Sequence, residues 1–246
     1  MRHVIDPATH LAHGHGPFGI RRIRPGLGIA PEDTGFGALG LVDRAHLKPG
    51  LVVGMHEHRN DEIVSYLRTG ELTHQDSTGR TETIGQNRLM VMNAGSGFSH
   101  EERMPEGDDV HMLQIFVRPR APDLAPGVQF AALDEADRIG RWRILVAPEG
   151  RPAPATVRQD VFVLDAHADA GTALDVPQRD GFDQWLYVFA GRVVLDDGAV
   201  LEEGAAIATS GESTASVRAE AASDLVLFQI AHDATVSMAG SLSRGR

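Results

Sequence analysis

Residues 51–75, which read LVVGMHEHRNDEIVSYLRTGELTHQ, decide the fold expected of this chain of 246 residues. Short apolar runs such as residues 62–67 are followed by turn signals such as Thr69-Gly70, a pattern typical of β-strands joined by tight turns. Similar runs recur roughly every ten residues along the chain, which favours a sandwich or barrel. The sequence therefore predicts an all-β fold with few short helices.

The second half of the chain repeats the pattern of the first. Residues 66–71 and residues 187–192 both place an aromatic residue before a short apolar stretch, a glycine turn and a new strand. Self-similarity over about half of the chain length predicts a duplicated β-domain, joined through the proline-rich segment 119–127. We therefore expect two tandem barrels, formed by residues 1–130 and 131–246. Residues 1 to about 35 are expected to be irregular, apart from one short strand at 19–23.

Composition excludes several classes of function. The chain has 42% hydrophobic and 23% charged residues, as is usual for a soluble globular protein. Its formal net charge of -11 disfavours direct nucleic-acid binding, which needs clustered Lys and Arg. The absence of cysteine excludes disulfides and thiolate metal sites and fits a reducing compartment. No segment has the pattern of a signal peptide or the length of a membrane span, so we expect a cytoplasmic protein.

Two pairs of side chains have the spacing of metal ligands. His56 and His58 are separated by one residue, as are His100 and Glu102, so on strands each pair points to a single face. If both pairs converge inside a barrel, they provide three imidazole nitrogens and one carboxylate oxygen. This set suits one divalent transition metal, with Fe(II) preferred, and fits Mn, Co, Ni, Cu or Zn less selectively.

Other residues compete for a role at this site. Glu62 is the rival carboxylate ligand to Glu102, or it orients a ligand histidine. His74 is expected to be a barrel or rim residue, with a role behind the metal ligands as the alternative. The second His-x-His pattern, at residues 13–15, lies in a glycine-rich segment that we expect to be a loop. His111 opens an apolar strand, where a structural role is expected.

Three motifs in the first half resemble the pirin family of the cupin superfamily. Residues 113–117 correspond to the next strand of the family, and residues 140–150 and 157–160 resemble the connection in bacterial members with quercetinase activity. The motifs are His56-x-His58-Arg59-x-x-Glu62-Ile63-Val64-x-Tyr66, His74-Gln75-Asp76-Ser77-x-Gly79 and Asn93-Ala94-Gly95-x-Gly97-x-x-His100-x-Glu102.

The resemblance implies a monomeric bicupin, with two tandem jelly-roll-like β-barrels. It implies that the N-terminal barrel holds one metal through His56, His58, His100 and Glu102, and that the C-terminal barrel is degenerate and lacks metal ligands. Some pirins cleave the flavonol quercetin with dioxygen, whereas eukaryotic members are iron-binding transcriptional co-regulators.

Two hypotheses for function follow from the residues and the resemblance. The first is a metal-dependent dioxygenase of the quercetin 2,3-dioxygenase type, acting on a small aromatic that can form an enolate. In it, Glu102 is the catalytic residue that detaches from the metal and accepts a proton. The alternative is a metal- or redox-sensing co-regulator that acts through a protein partner.

The chain departs from the family pattern at three places. Glu57 stands where proline is usual, Asn60-Asp61 replaces a more apolar pair, and Asn87-Arg88 replaces Gly-Asp. Glu57, Asp61 and Glu101 are expected to add carboxylates near the metal site. These changes leave the four predicted ligands intact but bear on the choice of substrate.

Overall fold

The computed structural model describes residues 1–244, and these residues are almost entirely β. Between them run two short 3₁₀ helices, Pro7–Thr9 and Glu135–Arg138, and none of the described helices is long and apolar enough to cross a membrane. The strands of the first half are β1 (Arg2–Ile5), β2 (Leu11–His15), β3 (Phe18–Ile23), β4 (Leu39–Leu47), β5 (Val52–His58), β6 (Glu62–Thr69), β7 (Leu72–Asp76), β8 (Thr81–Ile84), β9 (Arg88–Asn93), β10 (Phe98–Arg103), β11 (Val110–Val117) and β12 (Gly127–Ala132). Those of the second half are β13 (Arg143–Pro148), β14 (Ala155–Val157), β15 (Val161–Ala168), β16 (Ala173–Asp175), β17 (Phe182–Ala190), β18 (Arg192–Leu195), β19 (Val200–Glu202), β20 (Ala206–Thr209), β21 (Ser216–Ala219) and β22 (Ser223–Ala231).

Each half of the chain builds one barrel from a large sheet and a small sheet. In the first barrel the large sheet has the strand order β12-β9-β6-β11-β4-β3-β2, and the small sheet has the order β5-β10-β7-β8. In the second barrel the corresponding orders are β1-β20-β17-β22-β15-β13-β14 and β16-β21-β18-β19. Strands β6 and β17, which carry the repeated aromatic pattern, hold the same position in the two large sheets. The prediction of an all-β, duplicated barrel fold is confirmed.

The N-terminal segment is more regular than its glycine-rich sequence indicates. The expectation of an irregular start is wrong, because β1 pairs with β20, and β2 pairs with β3 through the histidine-glycine segment. β1 occupies the position in the second large sheet that β12 occupies in the first. The second barrel is thus completed by a strand from the start of the chain. The division at residues 130/131 stays a prediction for the folding units.

The core is divided into three apolar clusters by the sheets. Strand β6 shows why, since it is buried on both faces and its side chains alternate between two clusters. Ile63 and Leu67 point into the first barrel, whereas Val64 and Tyr66 pack with residues such as Trp185 from the second half. The third cluster fills the second barrel. The two large sheets therefore pack face to face, and the small sheet of the first barrel lies on its far side.

Candidate metal centre

The inward face of the small sheet carries the four predicted ligands. His56 and His58 lie on β5, while His100 and Glu102 lie on the neighbouring strand β10. His100 is the register partner of His56, so the two pairs meet across the strand pair. His58, His100 and Glu102 are buried and His56 is partly exposed, as expected when alternate residues face the barrel interior.

A β-bulge sets the direction of His56. The register between β10 and β5 shifts between His100 and Glu102, whose partners are His56 and Val53, so β5 carries an extra residue there. Nδ1 of His56 lies 2.9 Å from the backbone oxygen of Gly54 within this bulge. Since a carbonyl only accepts, Nδ1 carries the proton and Nε2 keeps its lone pair. Bulges next to functional sites commonly aim a side chain in this way.

The three histidines form a compact group of nitrogen donors. One ring nitrogen from each of His56, His58 and His100 lies within 4.8 Å of the others. Both ring nitrogens of His58 and Nε2 of His100 are buried and have no hydrogen-bond partner within residues 1–244. Buried polar atoms normally have partners, so these orphaned nitrogens fit a bound cation that supplies the missing interaction.

Burial keeps two of these histidines neutral. Burial, followed by the neighbouring His56, lowers the pKa of His58 to about 4. Burial, followed by the neighbouring histidines, lowers the pKa of His100 to about 2. At neutral pH both rings therefore offer lone pairs, which is the state that binds metals.

A chain of hydrogen bonds selects the free nitrogen of His100. Oδ2 of Asp76 lies 3.2 Å from Nε2 of His74, and Nδ1 of His74 lies 3.2 Å from Nδ1 of His100. A carboxylate only accepts, so the proton of His74 sits on Nε2, and Nδ1 of His74 accepts a hydrogen bond from Nδ1 of His100. Nε2 of His100 then keeps its lone pair, as a metal ligand requires. His74, for which the sequence left two roles open, thus lies directly behind a predicted ligand.

Asp76 is itself fixed in its ionised form. Burial alone would raise the pKa of Asp76. Hydrogen bonds from Thr78, from the backbone nitrogen of Arg80 and from the imidazole of His74 outweigh burial and lower this pKa. Thr78 donates from both its hydroxyl and its backbone nitrogen to Oδ1. The motif His74-x-Asp76 was visible in the sequence, but the contact to His100 needs the pairing of β7 with β10.

Glu102 lies beside the histidine group. Its Oε1 is buried, has no hydrogen-bond partner in the part of the chain that the structure describes, and lies 3.9 Å from Nδ1 of His100. Burial raises the pKa of Glu102 to about 7. The group of atoms within 4.8 Å comprises the three histidines and not this carboxylate. The assignment of all four residues as metal ligands stays a prediction.

Glu62 is occupied elsewhere. Its Oε1 accepts hydrogen bonds from Nη2 of Arg158 at 2.7 Å and from Nε of Arg158 at 2.9 Å, and its Oε2 accepts from the Arg158 backbone. Asn93 also donates to Oε2. These bonds tie β6 to the second half of the chain, and they leave Glu102 as the carboxylate with a free oxygen.

The three further carboxylates that the sequence places near the site, those of Glu57, Asp61 and Glu101, do not face the predicted ligands. Glu57 and Glu101 alternate with the predicted ligands on β5 and β10, so they point to the outer face, where Glu101 pairs with Arg103 at 2.6 Å. Asp61 is fully buried but binds the C-terminal segment through the backbone of Leu242 and Ser243. Burial lowers the pKa of His58, and the charge of Asp61 opposes this shift, so the expectation of a carboxylate near the site holds for Asp61. Glu57 and Glu101 face away from the predicted ligands.

Aromatic and thioether side chains surround the centre. Phe116 lies 6.1 Å from His58, and His74 is stacked on Phe98 at 6.1 Å between ring centroids. Met90, Met92 and Met112 belong to the same buried cluster. The walls are thus apolar, while His56, on an edge strand, is the exposed side of the group.

The second barrel has no such group among its described residues. The strand positions that correspond to β5, β7 and β10 are β16, β18 and β21. Their inward residues are Leu174, Val193, Leu195, Val217 and Ala219, which all belong to the apolar cluster of that barrel. The duplicated scaffold is kept, but its interior is filled by hydrocarbon.

Comparison with known proteins agrees with this arrangement. A protein of Zymomonas mobilis that is provisionally named quercetin 2,3-dioxygenase is 30% identical over 199 residues, covering 80% of this chain and 84% of its own. Quercetin 2,3-dioxygenase of Escherichia coli K12 is 25% identical over 205 residues, covering 81% and 85%. The crystal structure of the bacterial pirin YhhW from Escherichia coli in complex with nickel(II) matches with a TM-score of 0.82 at 21% identity, covering 94% and 99%.

The fold and the site define a two-barrel cupin protein with a histidine-rich centre in its first barrel. Residues 29–117 match the Pirin family, and residues 144–230 match the quercetinase C-terminal cupin domain. The chain belongs to the pirin family.

Proposed function

We propose that this protein is a metal-dependent dioxygenase that cleaves a flavonol or a related aromatic able to form an enolate. The observation that supports it most is the group of inward-facing donors. Both ring nitrogens of His58, Nε2 of His100 and Oε1 of Glu102 are buried with no hydrogen-bond partner among the described residues. Relatives named quercetin 2,3-dioxygenase suggest the substrate class. His56, His58, His100 and Glu102 would hold one divalent ion, for which Fe(II) remains our preferred choice.

The bound ion would supply Lewis acidity, which lowers the pKa of a hydroxyl group on the substrate. The proton released from that hydroxyl needs an acceptor within the dry interior. Glu102 provides one, since its Oε1 has no hydrogen-bond partner and burial raises its pKa to about 7. A carboxylate with a pKa near the working pH is well suited to take up and return a proton.

The remaining side chains bind and orient the substrate. Neutral His58 and His100 add no positive charge of their own, so they leave the positive charge of the ion available to the enolate oxygen. Phe98 and Phe116 exclude water from the electron-rich aromatic while it reacts with dioxygen. The partly exposed side at His56 admits the planar substrate.

The test is turnover of quercetin by protein loaded without oxygen with Fe(II), Mn, Co, Ni or Cu. On admission of air we expect loss of the flavonol absorbance together with release of carbon monoxide. Glu102→Gln should lower kcat by about 100-fold or more, because it removes the proton acceptor. Absence of turnover with every one of these metals would remove the dioxygenase proposal.

Two neighbouring carboxylates provide matched controls. Glu57→Gln and Glu101→Gln make the same chemical change on the same two strands, but on the outer face. We expect both variants to keep the metal content and the kcat of the unchanged protein. Equal losses in all three variants would show that the effect of Glu102→Gln is one of overall charge and not of position.

A further inference from the structure

A second cluster of side chains of metal-ligating types lies on the face of the first large sheet that turns toward the second barrel, at a place where this face reaches solvent. It consists of His46 on β4, His111 on β11 and Asp109, which precedes β11. One ligand atom from each of the three lies within 4.8 Å of the others. No function proposed for the first centre uses these residues.

The pairing of two strands holds the histidines together. His46 and His111 are register partners, and their rings stack with centroids 4.2 Å apart and 18° between planes. Residues directly opposite each other on paired strands lie on the same face of a sheet, so the regular backbone itself places the two imidazoles side by side. Oδ2 of Asp109 lies 2.7 Å from Nε2 of His46. The cluster is therefore assembled by the fold and is not formed by mobile side chains meeting by chance.

The surroundings leave room for an ion. His46 and His111 line a cleft of about 380 Å³ that also includes the backbone of Gly14 and Gly19. Gly19 is the register partner of His46 on its other side, so no side chain covers that ring there. Burial, followed by the neighbouring His46, lowers the pKa of His111, which favours its neutral form.

Two cations lie next to the cluster. Lys48 donates a hydrogen bond to Oδ2 of Asp109 at 2.6 Å, although its side chain is 49% exposed and free to turn into solvent. Arg44 is paired with Glu203 at 2.6 Å across the barrel interface. The ammonium of Lys48 thus lies beside the carboxylate of Asp109, where a bound metal ion would have to displace it.

We propose that His46, His111 and Asp109 form a second site for a divalent metal ion of the zinc, copper or nickel type. Two imidazoles and one carboxylate, with the remaining positions filled by water, are a ligand set that these ions prefer. The site is separate from the first centre. Its histidines lie on the large sheet and point away from the barrel interior, whereas the first centre lies on the inward face of the small sheet. It is also independent of the dioxygenase proposal.

The experiment is equilibrium dialysis of the whole protein against Zn(II), with metal analysis. The double variant His46→Gln with His111→Gln should bind one ion fewer per chain than the unchanged protein. Each single variant should bind that ion about 10-fold more weakly or worse, because a ligand is lost. Lys48→Ala should tighten its binding several-fold, since a competing charge is removed.

A single-histidine site supplies the control. His232 is 45% exposed and lies 2.7 Å from Asp183, which matches the exposure of His46 and its distance to Asp109. Among residues 1–244, His232 does not belong to a group of three side chains able to share one metal ion. His232→Gln should therefore leave Zn(II) binding unchanged. Equal binding by the double variant and the unchanged protein, or an equal loss in His232→Gln, would overturn the proposal.

Discussion

At the scale of single residues, the tautomer of His100 determines what the first centre can bind. Were Nδ1 of His100 the free nitrogen, its lone pair would point at His74 and not at the group formed with His56 and His58. Asp76 removes this alternative by accepting a hydrogen bond from Nε2–H of His74, which leaves Nδ1 of His74 as the acceptor for Nδ1–H of His100. Residues behind metal ligands fix ring orientation and basicity in this way, and their loss commonly costs about 10–100-fold in metal affinity.

We therefore expect His74→Phe to bind Fe(II) or Ni(II) about 10–100-fold more weakly than the unchanged protein. Phenylalanine keeps the ring stacked on Phe98 but cannot bond to Asp76 or His100, so the change removes the tautomer control and not the packing. Competition with a chelator of known affinity measures the effect. Unchanged metal affinity in a variant of normal thermal stability would show that His74 only fills space.

The residues of the first centre were predictable only in part. His56, His58 and His100 could be placed on one face because strand alternation is a local rule. The ion pair that keeps Glu62 away from the metal site could not be predicted. Its partner Arg158 lies 96 positions away in the chain and reaches Glu62 only across the barrel interface. The role of His74 was also out of reach, because it depends on which strands pair and in which register.

At the scale of elements, the turn between β5 and β6 connects the predicted metal ligands to the end of the chain. Asn60 has a positive φ of 61°, a conformation that asparagine tolerates better than most residues. It leads into Asp61, whose carboxylate accepts hydrogen bonds from the hydroxyl of Ser241 and the backbone of Leu242 and Ser243. This contact explains why polar Asn60 and Asp61 stand where the pirin family usually has a more apolar pair.

Asp61→Asn should free the C-terminal segment and lower the free energy of unfolding by about 2–3 kcal/mol. An amide cannot accept from three donors as a carboxylate does, and hydrogen bonds to charged groups are the stronger ones. Hydrogen exchange should show faster exchange at the amides of Leu242 and Ser243. Glu57→Gln, at an exposed position one strand earlier, should change neither quantity; protected amides in Asp61→Asn would contradict this role.

Two structural elements could not be predicted from local sequence patterns. β1 becomes a strand through its pairing with β20, more than 200 residues away in the sequence, so no local signal could indicate it. The bulge at Gly54 was equally hidden, because a glycine inside a strand pattern has several structural meanings. The central strands were predictable, since their apolar runs and turns are encoded nearby.

At the scale of the whole molecule, a buried ion cluster joins the two barrels beside the apolar interface. Asp165 is fully buried on β15 and accepts from the hydroxyl of Tyr66 on β6 at 2.7 Å. Arg143 donates to both of its oxygens, at 2.7 and 3.0 Å, and Arg138 lies 2.9 Å away. Asp165 therefore pairs with both buried guanidinium groups, whose charge it balances together with Glu135 and Asp224, and its bond to Tyr66 ties β15 of the second barrel to β6 of the first.

Removal of this charge should uncouple and destabilise the barrels. Asp165→Asn leaves Arg138 and Arg143 buried with too little negative charge, and breaking a buried pair commonly costs about 3–5 kcal/mol. Tyr66→Phe removes one hydrogen bond across the interface and should cost about 1–2 kcal/mol. Urea unfolding followed by the two tryptophans, which both lie in the second half, and by circular dichroism of the whole chain should then give separate transitions in Asp165→Asn.

The exposed pair of Asp137 and Arg141 distinguishes position from charge in this prediction. Their side chains are 61% and 63% exposed and 3.1 Å apart, so Asp137→Asn should change the free energy of unfolding by less than about 1 kcal/mol. If Asp165→Asn behaved like Asp137→Asn and kept a single transition, the apolar contact of the two large sheets would suffice to hold the barrels together. The ion cluster would then set their alignment and not their stability.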